Sequence, residues 1–375
     1  MITPEQELAL ALSKDLQPSA NQIERVARQT SPLSAQWAFQ QWQLRARAAT
    51  KFDRADGMLF DRDGLEMATT LSLARYHASK FPEGALVVDM TTGLGSDLIA
   101  LAERGPVIGV DLDPIRLQFA EHNLAQYGLT AEFILGDSLE ALALLKERGI
   151  RHAFCDPARR SASGRSLDAN SFSPDPLRAL ELFAGMDVCG LKLSPMLSDS
   201  FLEGCGGRLE FISAGAECRE ALVWSGVETA RVAVQPETNS VLEAGSAIPP
   251  PVKEPAEFLF EADPAAIRAH ALGSLCNSLN LLPLADSNGY LTGDQALSSP
   301  WLRGYEVIGN LKGDLKETRK RLRHHGAGTP IVKSRAGIDV DQLRRALKGD
   351  GEELVVAAYP DGKSVRHAIL RPLVS

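Results

Sequence analysis

The sequence predicts an α/β protein: a parallel sheet covered by helices on both faces, with a helical segment before it and an α+β module after it. Three observations predict this. From Leu86 to Gly226 short apolar runs alternate with amphipathic helices, the pattern of a doubly covered parallel sheet. Residues 1–80 are dominated by helical periodicity. The last 75 residues read strand, helix, strand, helix, hairpin.

The elements follow in order. "SANQIERVARQT" sets Ile23, Val26 and Ala27 on one helix face with Ser19 as N-cap, and "SPLSAQWAFQQWQLRARAAT" repeats Leu33, Trp37 and Leu44 at helical spacing. The period assigns Trp37 and Trp42 to the core. Residues 51–62 form a turn-rich connector. One helix is expected over "DGLEMATTLSLARYHASKFP", closed by Pro82. Then come strand "ALVVDM", helix Ser96 to Arg104, strand "PVIGVDL", helix Pro114 to Tyr127, strand "AEFILGD", helix Ser138 to Arg148 and strand "HAFCDP". Further strands are "CGLKLSP", "RLEFIS" and "ALVWSG", and "ETARVAVQPE" pairs with "SVLEA". "GSAIPPPVKEP" is the clearest linker. One helix is expected over "DPAAIRAHALGSLCNSLN". The tail reads "YEVIGNL", "DLKETRKRLRHH", "TPIVKSR", "DVDQLRRALK", then "ELVVAAY" turning into "VRHAILRPL". Gly326 and Gly349 stand where helix C-caps belong. The expected division is 1–80 helical, 81–245 sheet domain, 246–300 linker and small unit, and 301–375 basic domain.

Composition narrows the function classes. No run approaches the roughly 18 apolar residues of a membrane span, and the start of the chain lacks a signal-peptide pattern. A cytoplasmic protein without membrane contact is expected. Five cysteines, with no CxxC spacing, argue against a metal site and a disulfide framework. Net charge is −8, unevenly placed: residues 1–300 sum to −14 and residues 301–375 to +6. A basic tail on an acidic body points to an anionic partner.

The site is sought in "VVDMTTGLGSDLIALAERGPVIGVDLDP". A dinucleotide fingerprint needs GxGxxG, but the window from Gly93 is "GLGSDL", with Leu98 in place of the third glycine. The spacing of acids says more. Asp89, Asp111, Asp137 and Asp156 close four successive strands. Parallel strands bring all four to one rim, where ligands of open α/β sheets bind.

With those residues the segment Leu86–Gly226 resembles the Rossmann-like class I S-adenosylmethionine-dependent methyltransferases. The resemblance implies S-adenosylmethionine as cofactor. Gly93 and Gly95 would let the backbone approach its methionine part, Asp111 would accept the ribose hydroxyls, Asp137 and Ser138 would sit at the adenine, and Asp89 would lie beneath the amino acid end. Thr91, where many members have glycine, is similar to the branch that methylates amines of nucleic acids. "DPARR" stands where those enzymes carry Asn/Asp-Pro-Pro and an aromatic. Asp156 would accept the target amine's hydrogens and localise its lone pair; Pro157 would stiffen the loop, and Arg159 replaces the stacking aromatic. Arg160, Arg165 and Lys192 would line a basic rim, Lys192 meeting either phosphate or Asp156. Related enzymes close a segment over the cofactor, and Glu66 and Thr69 could reach the site.

Along nearly its full length, on "CDPARR", "LKLSP", "FEADPAAIRAHAL" and "GNLKGDLKETRKRLRHHGAG", the chain resembles bacterial class I methyltransferases with a ferredoxin-like unit and a THUMP-like C-terminal domain. The family implies an RNA substrate and, by its catalytic part, a guanine exocyclic amine. Lys312, Lys316, Arg319, Lys320, Arg321, Arg323 and two histidines fall within 14 residues. Leu315, Thr318 and Leu322 would face inward and leave Lys316, Arg319, Lys320 and Arg323 for RNA phosphates. Two alternatives stay open: a methyltransferase acting on a protein or small molecule, and a non-catalytic RNA-binding protein.

Overall fold

The computed structural model describes residues 2–159 and 172–373, with the Arg159 side chain outside the description. Arg160 and Arg165 therefore lie outside the described residues. The chain divides into two compact units, Met1–Arg208 with Leu222–Glu228, and Leu209–Ala221 with Thr229–Ser375.

The first unit opens with helices α1 (Pro4–Ser13), α2 (Ala20–Ala27) and α3 (Pro32–Ala48). They bury Ala9, Leu10, Val26, Ala35, Ala38 and Phe39, with Trp37 and Trp42 packed against that cluster. Thr3, Ser19 and Ser31 cap the three N-termini through their hydroxyls. Leu33 departs from the expected inward face: it sits in the first turn of α3 and is 79% exposed. The connector is held by side chains. Gln41 bonds both backbone groups of Phe60, Arg45 donates to Met58 O, and Asn123 takes Leu59 N and O as well as Leu94 O.

The helix expected over residues 63–82 is broken into α4 (Arg62–Met67) and α5 (Leu71–Ala78). Lys51 makes the break. Its ammonium donates to Leu65 O at 2.8 Å and Ala68 O at 2.6 Å, and its carbonyl accepts Leu71 N. Two β-branched threonines fill the corner.

The sheet elements of this unit are β1 (Val87–Asp89), α6 (Ser96–Ala102), β2 (Val107–Asp111), α7 (Pro114–Gln126), β3 (Glu132–Leu135), α8 (Ser138–Glu147) and β4 (His152–Cys155). The short pair β5 (Ala158–Arg159) and β6 (Phe172–Ser173) follows, then α9 (Pro176–Phe183), β7 (Val188–Leu193) and α10 (Asp199–Gly204). Helices α9 and α10 were not expected from the sequence. Strand order is β7-β4-β1-β2-β3, and the four neighbouring pairs are all parallel. All five C-terminal ends thus share one rim. The strands are apolar because both faces are covered: Val88, Val110, Ala153, Phe154 and Leu191 are buried.

The second unit holds β8 (Arg208–Ala214) and β9 (Glu217–Ser225), whose first and last residues respectively fall to the first unit, and β10 (Arg231–Gln235) with β11 (Ser240–Glu243). Strand β10 runs parallel to β8 and antiparallel to β11. A seven-stranded sheet comes next. Its elements are β12 (Phe258–Ala262), α11 (Pro264–Arg268), α12 (Leu272–Leu279), β13 (Leu282–Pro283), β14 (Tyr290–Gly293), β15 (Leu302–Lys312), α13 (Leu315–His324), β16 (Ile331–Ser334), α14 (Val340–Ala346), β17 (Val355–Asp361) and β18 (Ser364–Pro372). Their order is β13-β14-β12-β15-β18-β17-β16.

The single helix expected over "DPAAIRAHALGSLCNSLN" is two, divided at His270, whose φ is +59°. The "FEADPAAIRAHAL" motif ties this unit together. Asp263 caps α11 at Ala265 N and accepts from Ser213 and Gln235, while Glu261 pairs with Lys333. In α13, Thr318 and Leu322 are buried as expected, but Leu315, the first helical residue, is 44% exposed. Gly326 takes the expected left-handed turn after α13. Gly349 is no such cap. The space a side chain would need there is taken by Ala327 O, 2.9 Å from an added Cβ, so that glycine serves a close backbone approach.

Candidate functional site

The rim of the first unit gathers the expected acids. Asp89 and Asp111 end β1 and β2, Asp156 follows β4 directly, and Asp137 lies two residues beyond β3. They are not equivalent. Asp137 caps α8, its Oδ1 accepting Leu139 N and Glu140 N, with Ser138 buried behind it. Asp111 accepts Gly93 N at 2.8 Å and Asp113 N at 2.9 Å, which aims its carboxylate along the glycine turn and keeps lone pairs for further donors.

Asp89 is 1% exposed, and its Oδ1 accepts Thr91 N at 3.2 Å. Its Oδ2 is buried and meets no hydrogen-bond donor among the described residues. Burial first, then the charges of Asp97, Asp156 and Asp111, pushes its carboxyl well above the ordinary range. An orphaned buried oxygen of this kind is costly and fits a ligand that brings a cation, as the ammonium of S-adenosylmethionine would.

The two glycines of the turn do different work. Gly93, at φ +53°, has only Thr91 O within 4 Å of an added Cβ among the described residues, an open side that suits a ligand. Gly95, at φ +87°, starts α6, and an added Cβ would lie 3.3 Å from Ala120 of α7. Its missing side chain serves helix packing. Thr91 has a reason of its own: its hydroxyl accepts Asp156 N at 2.7 Å. A glycine in that slot could not tie the glycine turn to the loop after β4.

Asp156 Oδ2 lies 2.5 Å from Lys192 Nζ. Of the two partners named for Lys192 in the sequence, the carboxylate is the one it meets in this structure. The same ammonium donates to Thr69 Oγ1 at 2.9 Å, so the corner between α4 and α5 brings Thr69 to the rim. Glu66 does not follow; it faces Arg47 and Arg62, each at 3.5 Å, on the surface. Pro157 is buried in the same loop, and the Arg159 backbone pairs with Phe172.

Two residues escaped the sequence reading. His77, 1% exposed, bonds Asp97 Oδ1 through Nδ1 at 2.7 Å and stacks on Phe154 with ring centroids 5.0 Å apart. Burial alone would push Asp97 up; the charge and hydrogen bond of His77, with Lys192 and Thr69, hold it below the ordinary carboxylate value. The available signals were Asp97 inside "GLGSDL" and a histidine on the apolar face of "LSLARYHA". Cys155, beside Asp156, is buried, and burial followed by the charges of Asp156 and Asp89 pushes its thiol well up, the state of an inert cysteine.

In the second unit Lys316, Arg319, Lys320 and Arg323 are exposed on α13. Arg319 also has an internal task, donating through Nε and Nη2 to Ala346 O at the end of α14. A cavity of about 430 Å³ is lined by Thr329, Asp341, Arg344, Arg345 and Lys348. Those last three basic residues were not singled out in the sequence, although "DQLRRALK" contains them.

Comparison with known proteins adds to this geometry. Residues 84–157 match the family described as RNA cap guanine-N2 methyltransferase, and residues 302–371 match the THUMP domain-like family. The chain is 30% identical over 333 residues to an uncharacterized S-adenosylmethionine-dependent methyltransferase of Mycobacterium tuberculosis (strain H37Rv), across 84% of this chain and 89% of that protein. It is 31% identical over 111 residues to trimethylguanosine synthase of Schizosaccharomyces pombe, 28% of this chain and 46% of that one. A crystal structure from Porphyromonas gingivalis W83 has the same fold over the whole of both chains, with a TM-score of 0.79 at 22% identity.

Proposed function

The chain belongs to the class I S-adenosylmethionine-dependent methyltransferases that carry a THUMP-like C-terminal domain, and on that premise we propose that it methylates a base nitrogen of a structured RNA, a guanine exocyclic amine above all. The bound cofactor supplies an electrophilic methyl group on a sulfonium. The chain supplies the rest. Asp89 would receive the cofactor's ammonium on its Oδ2, Asp111 would receive the ribose hydroxyls, and Asp137 with Ser138 would border the adenine. Asp156 accepts hydrogens of the target amine, whose lone pair is otherwise delocalised into the ring, and aims it for in-line displacement. Pro157 fixes the loop that presents Asp156.

One observation carries this reading: the hydrogen bond from Asp156 N to Thr91 Oγ1, 2.7 Å, couples the cofactor turn to the acceptor loop. The match of residues 84–157 to the guanine-N2 family ends at Pro157, inside that loop, and supports guanine as the base. The basic tail and its THUMP-like match support RNA as the carrier.

Mass spectrometry of nucleosides from the RNA of a strain lacking this protein is the test. The expected result is loss of one methylated guanosine, restored by the wild-type chain. Asp156→Ala should fail to restore it, with transfer reduced about a hundredfold or more while S-adenosylhomocysteine still binds. An unchanged nucleoside profile, with labelled methyl entering protein instead, would overturn the RNA assignment.

A further inference from the structure

We propose that Lys192 is a positioning residue that fixes Asp156 and balances its charge at the point of methyl transfer, rather than a contact for RNA phosphate. The inference rests on the reading of Asp156 as the acceptor. Lys192 projects from β7, 2.5 Å from Asp156 Oδ2 after β4 and 2.9 Å from Thr69 Oγ1 at the α4–α5 corner. Its side chain is 16% exposed and that of Asp156 is 30% exposed. Asp97 adds a second opposing charge toward Lys192 and is itself held by His77. An ammonium has three N–H donors. With two of them committed to partners on separate elements, leaving for a phosphate would strand partly buried groups.

The chemical need is specific. Asp89, Asp97, Asp111 and Asp156 crowd one rim, and the charges of the other three all reach Asp89. The sulfonium loses its positive charge as the methyl leaves. Carboxylates with no compensating cation would therefore hold the cofactor more strongly than the transition state, which lowers the gain from binding. Lys192 offsets that field at the acceptor while leaving Asp156 in place to orient the amine.

Calorimetric titration of the full chain with two ligands tests this. S-adenosylhomocysteine is neutral at the reacting position, whereas sinefungin carries an amine there; the ratio of their affinities reads the charge at that one point. Lys192→Met should raise the preference for sinefungin about tenfold, leaving S-adenosylhomocysteine affinity near the wild-type value. Lys192→Arg should keep the wild-type ratio, and Asp156→Asn should lower it. A ratio unchanged in Lys192→Met, where Asp156→Asn does lower it, overturns the inference and leaves the acceptor reading intact. A ratio unchanged in Asp156→Asn overturns the acceptor reading and this inference with it. If Lys192→Met does not fold, Lys192→Gln, which keeps a donor without the charge, carries the same comparison.

Discussion

Asp89 is destabilised where it stands, and its strain is the kind a ligand relieves. One carboxylate oxygen accepts a backbone N–H; the other is buried and meets no donor among the described residues. Because the folded carboxyl is pushed well above its ordinary range, the fold favours its protonated form. That contribution is present at pH below the ordinary carboxylate range and is lost as pH rises through the raised value. Asp89→Asn should therefore raise the melting temperature of the ligand-free protein at pH 8, by an amount equivalent to about 1 kcal/mol, and leave it unchanged at pH 4. The same variant should bind S-adenosylhomocysteine roughly tenfold more weakly or worse, for want of a charge-assisted hydrogen bond. Thermal melts across pH and a calorimetric titration check the two halves. The sequence marked Asp89 as a site residue by its place at a strand end. It could not mark the orphaned oxygen, which depends on what packs around β1.

At the scale of elements, the corner between α4 and α5 shows where local reading stops. Helical spacing runs unbroken through "GLEMATTLSLARYHASK", so a continuous helix was the natural expectation. The break comes from Lys51, distant in sequence, which takes the carbonyls that end α4 and so satisfies groups a helix terminus would leave open. Breaking the helix turns Thr69 toward Lys192 and leaves His77 on the buried face of α5. Lys51→Met should lower the urea midpoint by an amount equivalent to about 1–3 kcal/mol, the cost of removing a charged donor from several carbonyls. The strands were legible for the opposite reason. A strand covered on both faces needs only a short apolar run, and β1, β2 and β4 each supply one. Helices α9 and α10 were missed because they are only 8 and 6 residues long, too short for a helical period to stand out.

For the molecule as a whole, the charge asymmetry fixed the expectation of an anionic partner, and the structure refines which tail residues suit it. Lys320 and Arg323 are exposed on α13, whereas Arg319 also holds the last carbonyl of α14. If the tail binds RNA through phosphates, the joint change Lys320→Ala with Arg323→Ala should reduce the slope of log affinity against log salt by about 1.4–1.8, near 0.7–0.9 per contact. Arg319→Ala should lower the slope too, and also the thermal stability of the protein, because it uncovers a helix end. Filter-binding titrations at several salt concentrations, paired with thermal melts, separate the two effects.

By itself the sequence determined the class of fold, the acids at the ends of successive strands, the glycine turn without a dinucleotide fingerprint, and the basic tail. Each depends on periodicity or spacing within a few residues, and backbone geometry converts such patterns directly into faces and rims. Tertiary structure alone decided the partnerships. It joined Lys192 to Asp156 and Thr69, residues 36 and 123 positions away in the chain, buried His77 against Asp97, and left one oxygen of Asp89 with no donor among the described residues. Those outcomes turn on which side chains meet when separate elements pack. Burial then sets the strength of each charge, and no local pattern encodes that.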